Sequence, residues 1–284
     1  MSSAHRVYPV PVEPGLVLEP RTGSAFVSVV LPCLNEEAAV GACVTEARKA
    51  LQSLGVPHEV IVVDNGSTDA SVARAVLAGA RVVHEPGIGY GMACRSGLEA
   101  ATGDYVVIGD ADGTYDFSDI PRLITLLDEG VEFALGNRLA GEIAPGAMPW
   151  LHRRVGTPLV SGVINLLFRV EVGDVNCGLR AIKRSSYRRL DISATGMEFA
   201  SEMVVQSAQQ GLRIAETPVD YRVRLGGVPK LRTWSDGWRH LRLIIGSWAR
   251  HSWERVSSGT GATLIPATEP EFRPGEFDAD RTRL

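Results

Sequence analysis

The chain has 284 residues, 45% hydrophobic and 22% charged, with a formal net charge of −4; that composition supplies one large apolar core or two smaller ones and excludes fibrous repeats and wholesale disorder. With 29 Lys and Arg against 33 Asp and Glu, no global positive field exists to hold a nucleic-acid backbone, so anion binding has to come from local clusters. No apolar run approaches the ~20 residues of a membrane-spanning helix; the nearest, 157–168 and 241–248, are short and broken by Ser, Gly or Asn.

Taken in chain order, residues 1–24 are rich in Pro and Gly, lack periodicity and carry no apolar centre of a secretory signal, so a flexible segment is expected there. Short β-branched runs at 26–31 (FVSVVL) and 59–63 (EVIVV) flank a helical stretch at 36–54, which makes one βαβ unit with parallel strands. The pattern repeats with a helix at 70–77, a strand at 81–84, a helix at 88–101, a strand at 105–108, a helix at 118–128 and a strand at 132–135. Five strands alternating with helices predict a doubly wound, mostly parallel α/β sheet, whose ligands bind outside the carboxyl ends of the strands.

Past Gly136 the pattern changes. A helix over 149–168 spaces Leu151, Val155, Leu159, Val163 and Leu167 by four and gathers His152, Arg153 and Arg154 at its start, so it is amphipathic with a basic end. A helix at 197–209, short strands at 212–215 and 219–223, and a basic aromatic helix at 235–253 complete the ordered part, and 256–284 reads as a flexible, acidic tail. The cysteines Cys33, Cys43, Cys94 and Cys177 show neither C-x-x-C pairing nor zinc-ligand spacing, which fits reduced structural thiols of a cytoplasmic protein.

Polar residues follow each strand: Pro32-Cys33-Leu34-Asn35-Glu36 after the first, Asp64-Asn65-Gly66-Ser67-Thr68-Asp69 after the second, and Asp110-Ala111-Asp112-Gly113-Thr114-Tyr115-Asp116 after the fourth. The second set also suits a turn with a helix cap. Three carboxylates within seven residues in the last set repel one another unless solvent or a cation separates them. Hard oxygen ligands at a strand end suit Mg²⁺ or Mn²⁺ holding a substrate diphosphate, the alternative being a solvated acidic loop. The run Gly87-Ile88-Gly89-Tyr90-Gly91 fails the dinucleotide fingerprint in both registers and follows the third strand rather than the first.

The strand-PxxNE opening, VDNGSTD, HEPGIGYGMACRSGLEAATGDYVVIGDAD and GNR at Gly136 to Arg138 together resemble family-2 inverting glycosyltransferases of GT-A fold. Further on, GAMPWLHRRVGTPLVSGVINLLF, DVNCGLRAIKR, TGMEFASEMV and KLRTWSDGWRHLR resemble the subgroup of dolichyl-phosphate mannose and glucose synthases, without the C-terminal transmembrane helices of many of its members. The resemblance implies one domain over 25–255, with a nucleotide-sugar half (25–138) and an acceptor half (139–255). It places Pro32, Asn35, Glu36, Asp64, Gly89, Asp110 and Ala111 around a UDP- or GDP-sugar and makes Asp110 and Asp112 metal ligands. A metal-binding Gln of the mannose synthases is replaced here by Thr114.

The same comparison sets Arg153, Arg154, Arg180, Arg222, Arg224 and Lys230 near donor or acceptor phosphates, where a surface charge is the alternative for each. Asp112, Asp116, Arg138 and Glu198 are the candidate catalytic residues; Glu198 and Glu202, four apart on one helix face, also suit a solvated or Arg-paired face. A phosphomonoester acceptor needs only positioning by cations, whereas a hydroxyl acceptor needs a carboxylate base. From Arg222 to Arg255 eight Lys and Arg stand against two Asp and Glu, with four of the five tryptophans, which reads either as a membrane-surface patch or as a core-packed helix with solvated charges. The implied activity is metal-dependent sugar transfer to a polyprenyl phosphate. Its alternatives are a soluble small-molecule acceptor and an inactive nucleotide-sugar-binding protein.

Overall fold

The computed structural model describes residues 25–227 and 233–257; the expected N-terminal segment 1–24, nearly all of the expected tail and Lys230 lie outside them. From β1 (Val27–Cys33) the chain runs through α1 (Val40–Ser53), β2 (His58–Asp64), α2 (Ser71–Leu77), β3 (Arg81–His84), α3 (Tyr90–Ala100) and β4 (Tyr105–Ile108). A 3-10 turn (Phe117–Asp119) and α4 (Ile120–Asp128) lead to β5 (Phe133–Asn137), and a π-helical turn (His152–Gly156) leads to α5 (Thr157–Phe168). Then come β6 (Arg180–Lys183), α6 (Arg184–Tyr187), α7 (Phe199–Gln209), β7 (Ile214–Pro218) and α8 (Thr233–Ser257).

The seven strands lie in the order β3-β2-β1-β4-β6-β5-β7. The predicted five strands are present and parallel where they pair with one another. β6, which the sequence reading lacks, enters antiparallel between β4 and β5. Strand order reverses between β1 and β4, and this is where such sheets open a ligand crevice.

Two predicted boundaries move and one predicted strand is absent. The first helix starts at Val40 because Asn35 is left-handed (φ 54°) and the Glu36 amide donates to Ser71 Oγ at 2.8 Å, so the backbone turns before it coils. The strand predicted at 212–215 lies at Ile214–Pro218, in parallel register with β5. Residues 219–223 are not a strand; Tyr221 makes only isolated bridges, to Tyr115 and Ile143.

Alternation along β1 builds both cores. Val27, Val29 and Leu31 face α1 and α4 through Val44, Leu51, Leu123 and Leu127, whereas Val30 faces the layer of α3 and α7 through Leu98 and Met203. β1, β2, β4 and β5 each contribute to both cores and are thus covered on both faces, which is why they read as nearly continuous apolar runs, while the edge strand β3 exposes Arg81 and His84. α3 lies close on the sheet: a Cβ on Gly97 would stand 2.2 Å from Val30 Cγ1 and 2.8 Å from Val63 Cγ2. Gly97→Ala is therefore expected to destabilise by about 1–3 kcal/mol, visible as a lower thermal midpoint.

Glu59 ties the far end of the sheet together. Its carboxylate accepts from Ser28 Oγ at 2.7 Å, Thr102 N at 3.0 Å, Thr102 Oγ1 at 2.7 Å and Arg81 Nη2 at 2.8 Å. Burial, the largest single influence, would raise its pKa, but the donors together outweigh it and hold it at about 2. A carboxyl depressed in the folded state stabilises above its unfolded pKa and loses that contribution as pH falls toward the folded one. Glu59→Gln should cost roughly 1–3 kcal/mol at pH 7, and urea midpoints of variant and wild type should converge between pH 4 and pH 2.

Candidate functional site

The carboxyl ends of β1, β2 and β4 bring the three polar sets together at the crevice. Asn35 Oδ1 accepts from Thr68 N at 2.8 Å, and the Asn35 amide donates to Ser67 Oγ at 3.0 Å, so the loops after β1 and β2 are laced to each other. Asp64, 6% exposed, accepts from Ser67 N at 3.0 Å and lies 3.1 Å from His84 Nδ1. Burial pushes its pKa up, yet the Ser67 and His84 contacts prevail and lower it. The result is a fixed, ionised acceptor at the crevice wall.

Asn65 locks the glycine-rich turn, a role the sequence reading missed. Its Nδ2 donates to Gly87 O at 2.6 Å and its Oδ1 accepts from Gly89 N at 2.8 Å. Gly89 has φ 153°, and a Cβ there would meet Thr195 O at 2.2 Å, so only glycine fits between Asn65 and the segment before α7. That segment is itself held by Glu202, buried, which accepts from Ala194 N at 2.6 Å and Ser193 N at 3.0 Å. Glu198, four residues earlier, accepts from Gly196 N at 3.2 Å through Oε1 and keeps a buried Oε2 without a hydrogen-bond partner.

Asp110 and Asp112 follow β4. Asp110 Oδ1 accepts from Tyr90 OH at 3.0 Å. Burial, and then the neighbouring Asp112 charge, raise the Asp110 carboxyl to about 6. Asp112, 6% exposed, divides its two oxygens: Oδ1 accepts from Thr114 N at 3.0 Å and Thr114 Oγ1 at 2.6 Å, and Oδ2 pairs with Arg224 Nη2 at 2.6 Å. Thr114 is thus the Asp112 orienter.

The remaining sequence-predicted residues divide by what they touch. Asp116 caps the 3-10 turn through Ser118 N at 2.9 Å and is ion-paired to Arg222, which also reaches Glu46 at 3.3 Å. Arg138 makes a bidentate pair with fully buried Asp174, at 2.6 and 2.8 Å, beneath the Tyr221 ring. Arg180, 1% exposed, donates to the carbonyls of Cys177 and Ala200. Both guanidiniums brace the floor of the site and present no exposed fork to a phosphate in this conformation. Arg153 and Arg154, in contrast, are exposed on the π-helical turn.

The residues fit a hard divalent ion. Among the described residues no three or more His, Cys, Asp or Glu are grouped to enclose a metal, but two adjacent carboxylates suffice for an ion that keeps waters and takes its other ligands from substrate phosphates. Burial first and the Asp112 charge second raise the Asp110 carboxyl, and a cation between the two carboxylates would offset both.

The sequence pattern of glycosyl transferase family 2 matches residues 28–191. The low-salt glycan biosynthesis hexosyltransferase Agl6 of Haloferax volcanii is 41% identical over 219 residues, which is 77% of this chain and 52% of that protein, so this chain spans about half of that relative's length. A dolichyl-phosphate hexose transferase of the same organism is 31% identical over 202 residues, covering 70% of this chain and 84% of that protein. Glucosyl-3-phosphoglycerate synthase of Mycobacterium tuberculosis, solved with phosphoglyceric acid, superposes with a TM-score of 0.62 at 25% identity over 79% of this chain and 80% of that one. The same synthase with Mn²⁺, UDP-glucose and phosphoglyceric acid gives 0.65 at 23% identity, over 86% and 88% of the two chains. That likeness makes the sheet a GT-A fold.

Proposed function

The chain belongs to glycosyl transferase family 2 and is a glycosyltransferase, and on that premise we propose that it moves one hexose, with inversion, from a UDP- or GDP-sugar to a polyprenyl phosphate at a membrane surface. The observation that carries the acceptor is the apolar outer face of α5, whose inner face seats Ile164 in the core. This helix buries Thr157 and Ser161 and turns Leu159 (63% exposed) and Leu166 (79%) outward. Three of the five residues of the predicted apolar stripe, Leu151, Val155 and Leu159, therefore lie outside the core, while Val163 and Leu167 pack against it.

The neighbouring helix continues the surface. α8 packs against α5 and exposes Trp238, Leu241, Ile245 and Trp248, spaced as one helical face. Arg153 and Arg154 are exposed on the π-helical turn that leads into α5, and Arg239, Arg242 and Arg250 on α8. Apolar residues with Trp, bordered by arginines, match a bilayer interface with anionic headgroups, to which each arginine adds about 1 kcal/mol. Among the described residues no helix is long and apolar enough to cross a membrane, so the contact is at the surface. The relative named as a dolichyl-phosphate hexose transferase supports the same acceptor class.

In the reaction an anionic phosphate oxygen of the acceptor attacks the anomeric carbon. The new C–O bond forms as the bond to the donor diphosphate breaks, and the nucleoside diphosphate departs with the electron pair. No proton has to be removed from a phosphomonoester dianion. Asn35 and Asp64 position the nucleoside, and Asp110 and Asp112 would hold Mg²⁺ or Mn²⁺, which when bound neutralises the charge of the leaving diphosphate. The synthase neighbour, of the same fold, was solved with Mn²⁺ and UDP-glucose.

A second reading keeps the donor chemistry and takes a soluble phosphorylated acceptor, as favoured by the fold likeness to a phosphoglycerate-binding synthase. The two separate when labelled UDP- and GDP-hexoses are offered with polyprenyl phosphate in vesicles and, in parallel, with 3-phosphoglycerate. Label entering the organic phase supports the lipid acceptor; label confined to an anionic aqueous product supports the soluble one.

A further inference from the structure

We propose that Arg224 is a resident counter-cation of Asp112 that the divalent ion exchanges for, and that Glu36 retains the arginine once it is displaced; the inference rests on the metal reading of Asp112. Arg224 lies between two carboxylates, with Nη1 at 2.7 Å from Glu36 Oε1 and Nη2 at 2.6 Å from Asp112 Oδ2. Asp112 Oδ1 is engaged twice by Thr114, so Oδ2 is the oxygen left for a cation, and the guanidinium occupies it. Arginine and metal require the same lone pairs, and two cations cannot share them without strong repulsion.

The backbone delivers the arginine to that place. The segment around it is fastened along the aspartate loop by Arg222 N to Thr114 O at 2.7 Å and Leu225 N to Asp112 O at 3.1 Å. Leu225 covers Gly113, where a Cβ would come within 2.7 Å of its side chain. Glu36 is fixed in turn by its own amide on Ser71 and is only 6% exposed. Both partners of Arg224 are therefore immobile, and the side chain, about a quarter exposed at 24%, is the one group able to leave.

The consequence is a site whose carboxylates are compensated before the donor arrives. Removing Glu36 leaves Arg224 to Asp112 alone; removing Arg224 leaves Oδ2 open. The two substitutions are expected to act in opposite directions on a quantity that involves no turnover, the affinity for Mn²⁺ alone, read from the electron paramagnetic resonance signal of the free ion. Arg224→Met should tighten Mn²⁺ binding about tenfold, a change of ~1.4 kcal/mol, and Glu36→Gln should weaken it.

Arg222→Met removes the same charge from the same segment but leaves the Asp112 contact, so it should shift the affinity less than about threefold, as expected for a screened, nearby charge. In Glu36→Gln with Arg224→Met the Glu36 effect should shrink, the sign of coupling through the arginine. Equal tightening by Arg222→Met and Arg224→Met would overturn the exchange in favour of a general field effect. So would an Arg224→Met protein with unchanged affinity while Asp112→Asn abolishes binding, in which case the metal site itself stands. Absence of Mn²⁺ binding in every protein overturns both.

Discussion

Asp112→Asn is expected to lower sugar transfer by about three orders of magnitude or more, with the fold intact. The amide keeps the oxygen that accepts from Thr114 and preserves the volume of a side chain that is 6% exposed, while Arg224 retains its contact with Glu36. What is lost is one of two negative charges able to hold the cation beside the leaving diphosphate. Removing a single transition-state electrostatic contact reduces turnover about 10²–10³-fold, and loss of a metal ligand exceeds that. The measurement is initial rate at saturating Mn²⁺, paired with thermal unfolding; an active variant, or one that unfolds at ordinary temperature, would contradict this assignment.

The second large effect concerns α5. Changing Leu159 and Leu166 together to Glu places two charges on a face that is 63% and 79% exposed at those positions. Nothing in the core is disturbed, so stability and donor binding should remain those of the wild type. Withdrawing two leucines from a bilayer interface and adding negative charge beside anionic headgroups is worth about 3 kcal/mol, or roughly 100-fold in partition. Cosedimentation with anionic vesicles should fall by that amount, and transfer to vesicle-borne polyprenyl phosphate should fall with it. Unchanged sedimentation would remove α5 from the membrane contact.

Strand-forming runs in the first half are legible in the sequence because β1, β2 and β4 are covered on both faces and helices alternate with the strands. β6 was not legible. Its four residues begin with Arg180, a side chain no apolar pattern includes, and its burial depends on carbonyls of Cys177 and Ala200 that only the fold supplies. α5 is legible only in part for a related reason: a spacing of four marks a face but does not say how much of it meets the core, and here Thr157, Ser161 and Ile164 are buried, Val163 and Leu167 pack at the core's edge, and Leu159 faces outward.

The candidate site was legible as residue types and not as contacts. Asp110, Asp112, Asn35 and Asp64 stand at strand ends where the pattern of the sheet puts them. The pairing of Arg138 with Asp174 and of Arg222 with Asp116 joins residues far apart in sequence, and no spacing rule announces such partners. Asn65 had a local signal in its position inside a turn, but its bonds to Gly87 and Gly89 appear only once α3 is docked.

The most direct test of the whole account is the chemical identity of the product. Purified protein, Mn²⁺, an α-linked UDP- or GDP-hexose and undecaprenyl phosphate are incubated, and the organic phase is examined by mass spectrometry and proton NMR. The expected product is a polyprenyl phosphate carrying one hexose with the β configuration. A sugar-bearing lipid that keeps the α configuration, or a lipid fraction with no sugar from any donor that the protein binds, would contradict it.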